Sequence, residues 1–304
     1  MRPALEPHGV AHAAARRVGD VVAAAIRAER PELVHTHMTA AELAAVASWP
    51  ALRRPIVTTR HFAARRGHNR VGRAAYRAIP HLVRREIAIS EFVAARAGSP
   101  CVVIPNGVPA PPAPGRERRP VVLVAQRLEP EKDTPTALRA FAASGLATRG
   151  WRLHVAGRGR QEAALRALAT RTGVSGSVRF LGHLPDLSAE LASAGLFLAT
   201  APAEPFGLGV VEAMAAATPV VVAAGGAHLE TAGAVTDPAV FPPGDAEACG
   251  RELRRLADDP DERDALGRRL RARYEAEYTI ERHVDRLERL YDEVLSDGDG
   301  GRGR

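Results

Sequence analysis

Short apolar runs without alternation constrain this chain most. Val121–Ala125, Leu196–Ala199 and Val220–Val222 are apolar at every position. A strand with one wet face alternates polar and apolar residues, whereas a strand buried on both faces does not. Between these runs lie amphipathic segments long enough for helices. Strand and helix in alternation give a parallel sheet covered by helices. Further strands are expected at Leu153–Ala156, Val178–Leu181 and Val240–Phe241, which makes six in this half, enough for a complete doubly wound sheet. An earlier series is expected at Leu33–His37, Ile56–Thr59, Ile87–Ile89 and Val102–Ile104, after an Ala-rich helix over Val10–Ala28. The two series are separated by 106–115, a stretch rich in Pro and Gly that reads as an interdomain linker. Two helices, near Pro260–Tyr274 and Glu281–Leu295, close the pattern, and the Gly-, Asp- and Arg-rich tail 296–304 is expected to be disordered.

At 304 residues the chain has room for two domains. Its basic excess is local. Residues 1–105 hold 16 Arg and 7 acidic residues, while the remainder holds 26 basic and 28 acidic residues. Arg53, Arg54, Arg65, Arg66, Arg70, Arg73, Arg77, Arg84 and Arg85 cluster in that first third. Such a patch fits anionic lipid headgroups or an anionic acceptor. Arg-for-Lys usage runs through the whole chain, so the excess is not read as a nucleic-acid signal. Cys101 and Cys249 lie far apart in apolar contexts and give neither a disulfide framework nor a metal motif. The N-terminus shows no secretory apolar segment, and no run of 18 apolar residues occurs. The expectation is a cytoplasmic protein, with peripheral contact to an anionic membrane left open.

The chemistry concentrates at strand ends. After the run Gly195–Thr200 comes Glu204-Pro-Phe-Gly-Leu-Gly-Val-Val-Glu212, two carboxylates with seven residues between them. Glu204 is placed on the loop after a strand and Glu212 in the first turns of the next helix. Gly207 and Gly209 fall where that helix begins, where bare amides and the helix dipole favour an anion. Carboxylates beside a phosphate cradle suit a ligand with both hydroxyls and phosphates. Arg127 and Lys132 follow the strand Val121–Ala125, and Lys132 is the only lysine in the chain. Two cations there could hold a diphosphate. Gly157-Arg-Gly159 stands between a strand and a helix, a geometry of close backbone approach to a ligand. His61 ends the run Pro55–His61, and His35 and His37 end the preceding strand on one face. No third ligand accompanies that pair, so metal is not expected.

These motifs resemble those of the retaining GT-B glycosyltransferases of family four, the glycosyl transferases group 1. Glu204–Glu212 is similar to the family's Glu-x7-Glu signature. Gln126–Asp133 resembles its Gly-Arg-Leu-x-x-x-Lys-Gly element, with Gln126 and Asp133 in place of the usual glycines. Val103–Pro109 and Pro242–Asp245 resemble its hinge entry and a helix-capping turn. The resemblance implies an α/β GT-B fold of two Rossmann-like, doubly wound domains facing across a cleft. It implies transfer of a hexosyl unit from a UDP- or GDP-sugar with retention. By the same resemblance His61, Arg127, Lys132 and Glu204 are catalytic. Gly157, Gly159, Leu184, Phe206, Gly207, Leu208, Gly209 and Glu212 would bind the donor, Leu184 near the base and Glu212 at the ribose diol. His183 need not be catalytic. No cofactor and no metal are implied. The partners are the nucleotide-sugar donor and an unidentified acceptor: a lipid, a polysaccharide or a natural product.

The expected boundaries are 1–107 for an acceptor-side domain, 108–277 for the nucleotide-sugar domain and 278–295 for a helix packing back on the first. The family's N-terminal domain opens with a strand and a Gly-rich loop, and neither is found here, so the first domain is expected to be incomplete. Two other classes fit the same motifs: a non-catalytic nucleotide-sugar-binding partner or sensor, and an epimerase or phosphorylase on the same fold.

Overall fold

The computed structural model describes residues 17–27, 31–63, 82–111 and 118–299. It divides into two compact units. The first holds the described parts of Met1–Ile89, Val93–Ile104 and Arg286–Arg304, and the second holds Ser90–Phe92 and Pro105–Asp285.

In the first unit β1 (Val34–His37), β2 (Ile56–Arg60), β3 (Val83–Ala88) and β4 (Val102–Val103) form a sheet in that order, and every pairing is parallel. The register sets His37 opposite Thr59 and Arg60 opposite Ala88. The strand β2 is buried along its whole length, as its apolar start and β-branched run require. Its core gathers Val57, Ile87 and Ile104 with Leu290 and Val294 of the last helix, Ile280–Asp299. β3 starts earlier than its apolar residues foretell. Glu86 is buried there because Arg60 donates to its carboxylate at 3.0 Å and Ser99 donates at 2.6 Å. A buried carboxylate needs such partners. Of the helix expected over Val10–Ala28, residues 10–16 and 28 lie outside the described residues, as do Arg65, Arg66, Arg70, Arg73 and Arg77, and the first described helix is Val18–Arg27.

In the second unit β5 (Arg119–Ala125), β6 (Arg152–Ala156), β7 (Val178–Gly182), β8 (Ala194–Ala199), β9 (Val220–Ala223) and β10 (Ala239–Phe241) make a parallel sheet ordered β10-β9-β8-β5-β6-β7. The chain runs outward from β5 through β6 to β7, then returns to β5's other side with β8. That reversal is a topological switch point, and ligands of open α/β sheets bind beyond the carboxyl ends of the strands there.

The expected linker begins next to the boundary between the units and is tied down over its first residues. Val108 N–H donates to Tyr278 O at 2.9 Å, Tyr274 OH donates to Val108 O at 2.9 Å, and a side chain on Gly107 would strike Thr279, Ile280 and His283. The tail is not irregular from residue 296. The last helix continues to Asp299, about one turn further, as an extension of an amphipathic helix already anchored through Leu290 and Val294. Residues 112–117 and 300–304 lie outside the described residues.

Candidate active site

The loops that leave β5 and β8 meet at the switch point. After β5 the chain makes a 3-10 turn, Pro130–Lys132, and then Asp133 adopts a left-handed conformation with φ 49°. The turn is pinned through the Lys132 carbonyl, which accepts from Gln126 Nε2 at 3.0 Å and Thr200 Oγ1 at 2.8 Å. Gln126 also donates to Thr134 Oγ1 at 2.9 Å. Gln126 thus holds the turn that presents Lys132, and Thr200 ties it to the end of β8. The Lys132 ammonium then lies 2.5 Å from Glu204 Oε2, with side-chain exposures of 18% and 15%. A pair this sheltered is weakly screened by solvent. Glu204 is fixed in turn by Ala227 N–H, which donates to its carbonyl at 2.8 Å. Gly226 allows the approach, because a Cβ there would sit 2.4 Å from that same oxygen.

Two residues past Pro205 the backbone turns into the helix Leu208–Ala215. Gly207 precedes it with φ 88°, a conformation that disfavours any side chain. The amides of Val210 and Val211 both close on Gly207 O, so Leu208 and Gly209 stand ahead of the first intrahelical bonds. A Cβ on Gly209 would come 3.3 Å from Phe197 and 3.4 Å from Ala125 O, so this helix opens close over β8 and β5. Phe206, expected among the donor contacts, points elsewhere. Its side chain is buried and meets Tyr278 edge-on at 5.9 Å, because a bulky apolar ring gains more in the core than at a wet site. Leu208 is half exposed.

Sequence reasoning missed His228. It opens the short helix His228–Thr231, is buried, and lies beside Gly207 and Glu204. Burial pushes its imidazole below the ordinary histidine value, with Lys132 adding to the fall and Glu204 opposing it. Nothing in Gly225-Gly-Ala-His228 signals a site, since a lone histidine after a loop is usually solvated.

Arg127, Gly157, Leu184 and Glu212 line two cavities. One, of about 400 Å³, lies beyond the carboxyl ends of β5, β6 and β7 and is lined by Gln126, Arg127, Gly157, Arg158, His183 and Leu184, among others. Arg127 stands at its exposed edge and donates to Glu131 at 2.7 Å, so it does not join the Lys132–Glu204 pair. Gly157 serves packing. Its amide is spent on Gly182 O at 2.7 Å, and a Cβ would lie 1.9 Å from Gln126 O. The same holds at Gly159, where a Cβ would be 2.3 Å from Leu128 O. These glycines let the loops after β5 and β6 nest together. The other cavity, of about 260 Å³, is lined by Leu184, Asp186, Leu187 and Glu212, with Val108 and Pro111. Burial first, and then the nearby Asp186 charge, push the Glu212 carboxyl above its ordinary value. Leu184 borders both cavities.

His61 belongs to the first unit. There His37 Nδ1 and His61 Nε2 lie 3.0 Å apart, and burial, followed by His37, lowers the His61 imidazole below its ordinary value. His35 is held by Tyr291 OH at 2.5 Å and Thr59 Oγ1 at 2.7 Å. Among the described residues no group of three or more His, Cys, Asp or Glu side chains is arranged to hold a metal. Among them, too, no helix is long and apolar enough to cross a membrane.

The geometry can be set beside known proteins. The family model for glycosyl transferases group 1 matches residues 111–273, and that for Glycosyltransferase Family 4 matches residues 6–110. A GDP-mannose-dependent monoacylated alpha-(1-6)-phosphatidylinositol monomannoside mannosyltransferase of Corynebacterium glutamicum is 35% identical over 177 residues, which is 55% of this chain and 46% of its own. A 2-deoxystreptamine glucosyltransferase of Streptomyces kanamyceticus is 31% identical over 147 residues, 48% of this chain and 38% of its own. The chain therefore spans less than half the length of either relative. Among solved structures, a glycosyltransferase from Rickettsia africae ESF-5 matches with a TM-score of 0.80 at 16% identity, over 97% of this chain and 87% of that one. Anabaena HepE, solved with UDP and glucose, matches with a TM-score of 0.77 at 21% identity, over 90% and 80%. Likeness at such low identity speaks to the fold, two parallel-sheet α/β units of the GT-B kind. With the group 1 family model matched across the whole second sheet, this chain belongs to the glycosyl transferases group 1 family.

Proposed function

We propose that the chain transfers a hexosyl unit from a nucleoside-diphosphate sugar to an acceptor hydroxyl, with retention at the anomeric carbon. One observation carries this reading: the sheltered Lys132–Glu204 pair at the switch point, beside the helix opened by Gly207. Lys132 supplies a cation for the diphosphate, and the leading amides of the helix add partial positive charge. The Glu204 carboxylate, released from Lys132 by the incoming diphosphate, accepts hydrogen bonds from sugar hydroxyls. Glu212, in its own cavity, accepts from the ribose diol. Arg127 joins once the donor competes with Glu131.

In the reaction the bond from the anomeric carbon to the phosphate oxygen breaks. The bond to the acceptor oxygen forms on the same face, and the acceptor's proton passes to the departing phosphate. Lys132 and Arg127 offset the charge that develops there, so the reading expects turnover without a divalent metal. The names of the relatives, one dependent on GDP-mannose and one solved with UDP, support the donor class and leave the base open.

Calorimetric titration with UDP and with GDP, free of metal, tests the reading on the chain and on Lys132→Ala. One diphosphate should bind, and the variant should weaken it about tenfold or more, as the loss of a charge-assisted hydrogen bond worth roughly 1.5–3 kcal/mol requires. Absence of binding to either, from folded protein, would discard the reading.

A further inference from the structure

The His228 ring has a single described hydrogen bond, from its Nδ1 to Ala223 O at 3.2 Å. A carbonyl can only accept, so Nδ1 must carry the proton. In a neutral ring that leaves Nε2 as a bare acceptor. The ring's direction follows from Gly207: a Cβ built there would lie 3.3 Å from His228 Cδ2 and 3.5 Å from its Nε2. The same point is 3.5 Å from Glu204 Cγ. The His228 Nε2 edge and the Glu204 side chain therefore share one small space, kept open because residue 207 has no side chain. Two acceptors, a carboxylate and an imidazole nitrogen, border it, with the Lys132 ammonium as donor beyond Glu204. The charged groups that act on the ring are Glu204 and Lys132, of opposite sign.

Resting on the glycosyl-transfer reading, we infer that His228 is a sugar-binding residue whose Nε2 accepts a hydrogen bond from a hydroxyl of the donor's hexosyl group, next to the hydroxyl taken by Glu204. Recognition by two adjacent acceptors requires a sugar that presents two hydrogen-bond donors side by side. A sugar lacking one of them leaves a buried acceptor unpaired and is rejected. Gly207 belongs to the same device, since any side chain there would fill the space between the two acceptors.

The test separates sugar from diphosphate. His228→Asn places an amide N–H where Nδ1–H stands, so the Ala223 bond can persist, but it puts no acceptor at the Nε2 position. His228→Gln restores a polar group near Nε2. The Kd values of GDP, GDP-mannose, UDP and UDP-glucose are measured for the unaltered chain and both variants, with urea unfolding as the check on folding. For the diphosphate that binds, His228→Asn should change affinity less than twofold while weakening its sugar conjugate tenfold or more, and His228→Gln should recover part of that loss. Nitrogen-15 NMR of the unaltered chain should show neutral His228 protonated on Nδ1, with the Nε2 signal moving on addition of the sugar conjugate and not of the diphosphate. Equal effects on conjugate and diphosphate, no effect on either, or an Nε2-protonated ring would each overturn the assignment. Failure of every diphosphate to bind the unaltered chain would instead remove the transferase reading beneath it.

Discussion

Gly157 and Gly173 both have positive φ, 136° and 75°, yet they should respond differently to the same substitution. Around Gly173 nothing lies within 4 Å of an added Cβ, so Gly173→Ala meets only the left-handed penalty, about 1–2 kcal/mol. At Gly157 the Cβ would lie 1.9 Å from Gln126 O, so backbone must move as well. Gly157→Ala should cost about 3 kcal/mol or more in urea unfolding. If the two variants lost equal stability, close packing of the loops after β5 and β6 would not be what requires Gly157. Glu212 makes a second residue-scale prediction. Its folded-state carboxyl is raised, chiefly by burial, so the folded protein binds that proton more tightly than the unfolded chain. The stability it contributes is therefore full below the unfolded value and lost as pH rises through the raised folded value. Glu212→Gln should then raise Tm at pH 7 to 8, and the gain should shrink toward pH 4.5, the ordinary carboxyl value. A gain that grew in acid would contradict the burial account. At this scale the sequence shows the types and not the partners. Lys132 and Glu204 were each legible at a strand end, but their contact spans 72 positions and depends on the strand order, which no local pattern encodes. Phe206 was expected among the donor contacts by family resemblance, and its ring packs inward on Tyr278, a partner 72 positions away that no local pattern shows. His228 had no motif at all.

Between residue and fold, Arg118 braces the element that matters most. From its place just before β5 it donates to Ala194 O, Ala216 O and Ala217 O at 3.0, 3.0 and 2.7 Å and to Thr218 Oγ1 at 3.0 Å. It so satisfies carbonyls just past the helix Leu208–Ala215, whose other end opens at Gly207. Burial lowers this guanidinium below its ordinary value, yet it stays charged at any ordinary pH. Arg118→Ala should destabilise by about 3 kcal/mol, from the several charge-assisted bonds lost together. Arg118→Lys should recover only part, because one ammonium cannot reproduce the planar fork. Urea unfolding of both variants decides it, and full rescue by lysine would show that charge alone is required. The central strands β5, β8 and β9 were foreshadowed by unbroken apolar runs, because strands buried on two faces leave that mark, whereas β1 and β7 mix polar with apolar residues and are less buried. The start of β3 was not foreshadowed, since Arg84, Arg85 and Glu86 read as loop and become strand through the Arg60–Glu86 pair. Asp245 was read as a cap and is one, accepting from Ala248 N–H at 2.9 Å. Residues 106–108 read as linker because Asn-Gly and Pro break local structure, whereas their partners lie about 170 positions away, at Tyr274 and Tyr278.

Taken whole, the described residues form two compact units, each with its own core, and the last helix is divided between them: its residues to Asp285 count with the second and those from Arg286 with the first. Leu290 is 4% exposed and packs with Val57, Ile87 and Ile104. Removing its side chain should cost roughly 2–5 kcal/mol, the range for Leu→Ala in a closed core. Because β2 and β3 supply that core, the cost should appear there. Hydrogen exchange in Leu290→Ala should quicken over Ile56–Arg60 and Val83–Ala88, while amides of Arg119–Ala125 and Ala194–Ala199 keep their protection. On the proposed reading, a nucleoside diphosphate binds at the β5–β8 switch point through the second unit's own Lys132. Its Kd should then change less than twofold in Leu290→Ala, and its stabilisation should be confined to the second unit. If exchange quickened equally in both sheets, or if nucleotide affinity fell in step with the lost stability, the two cores would be one cooperative structure.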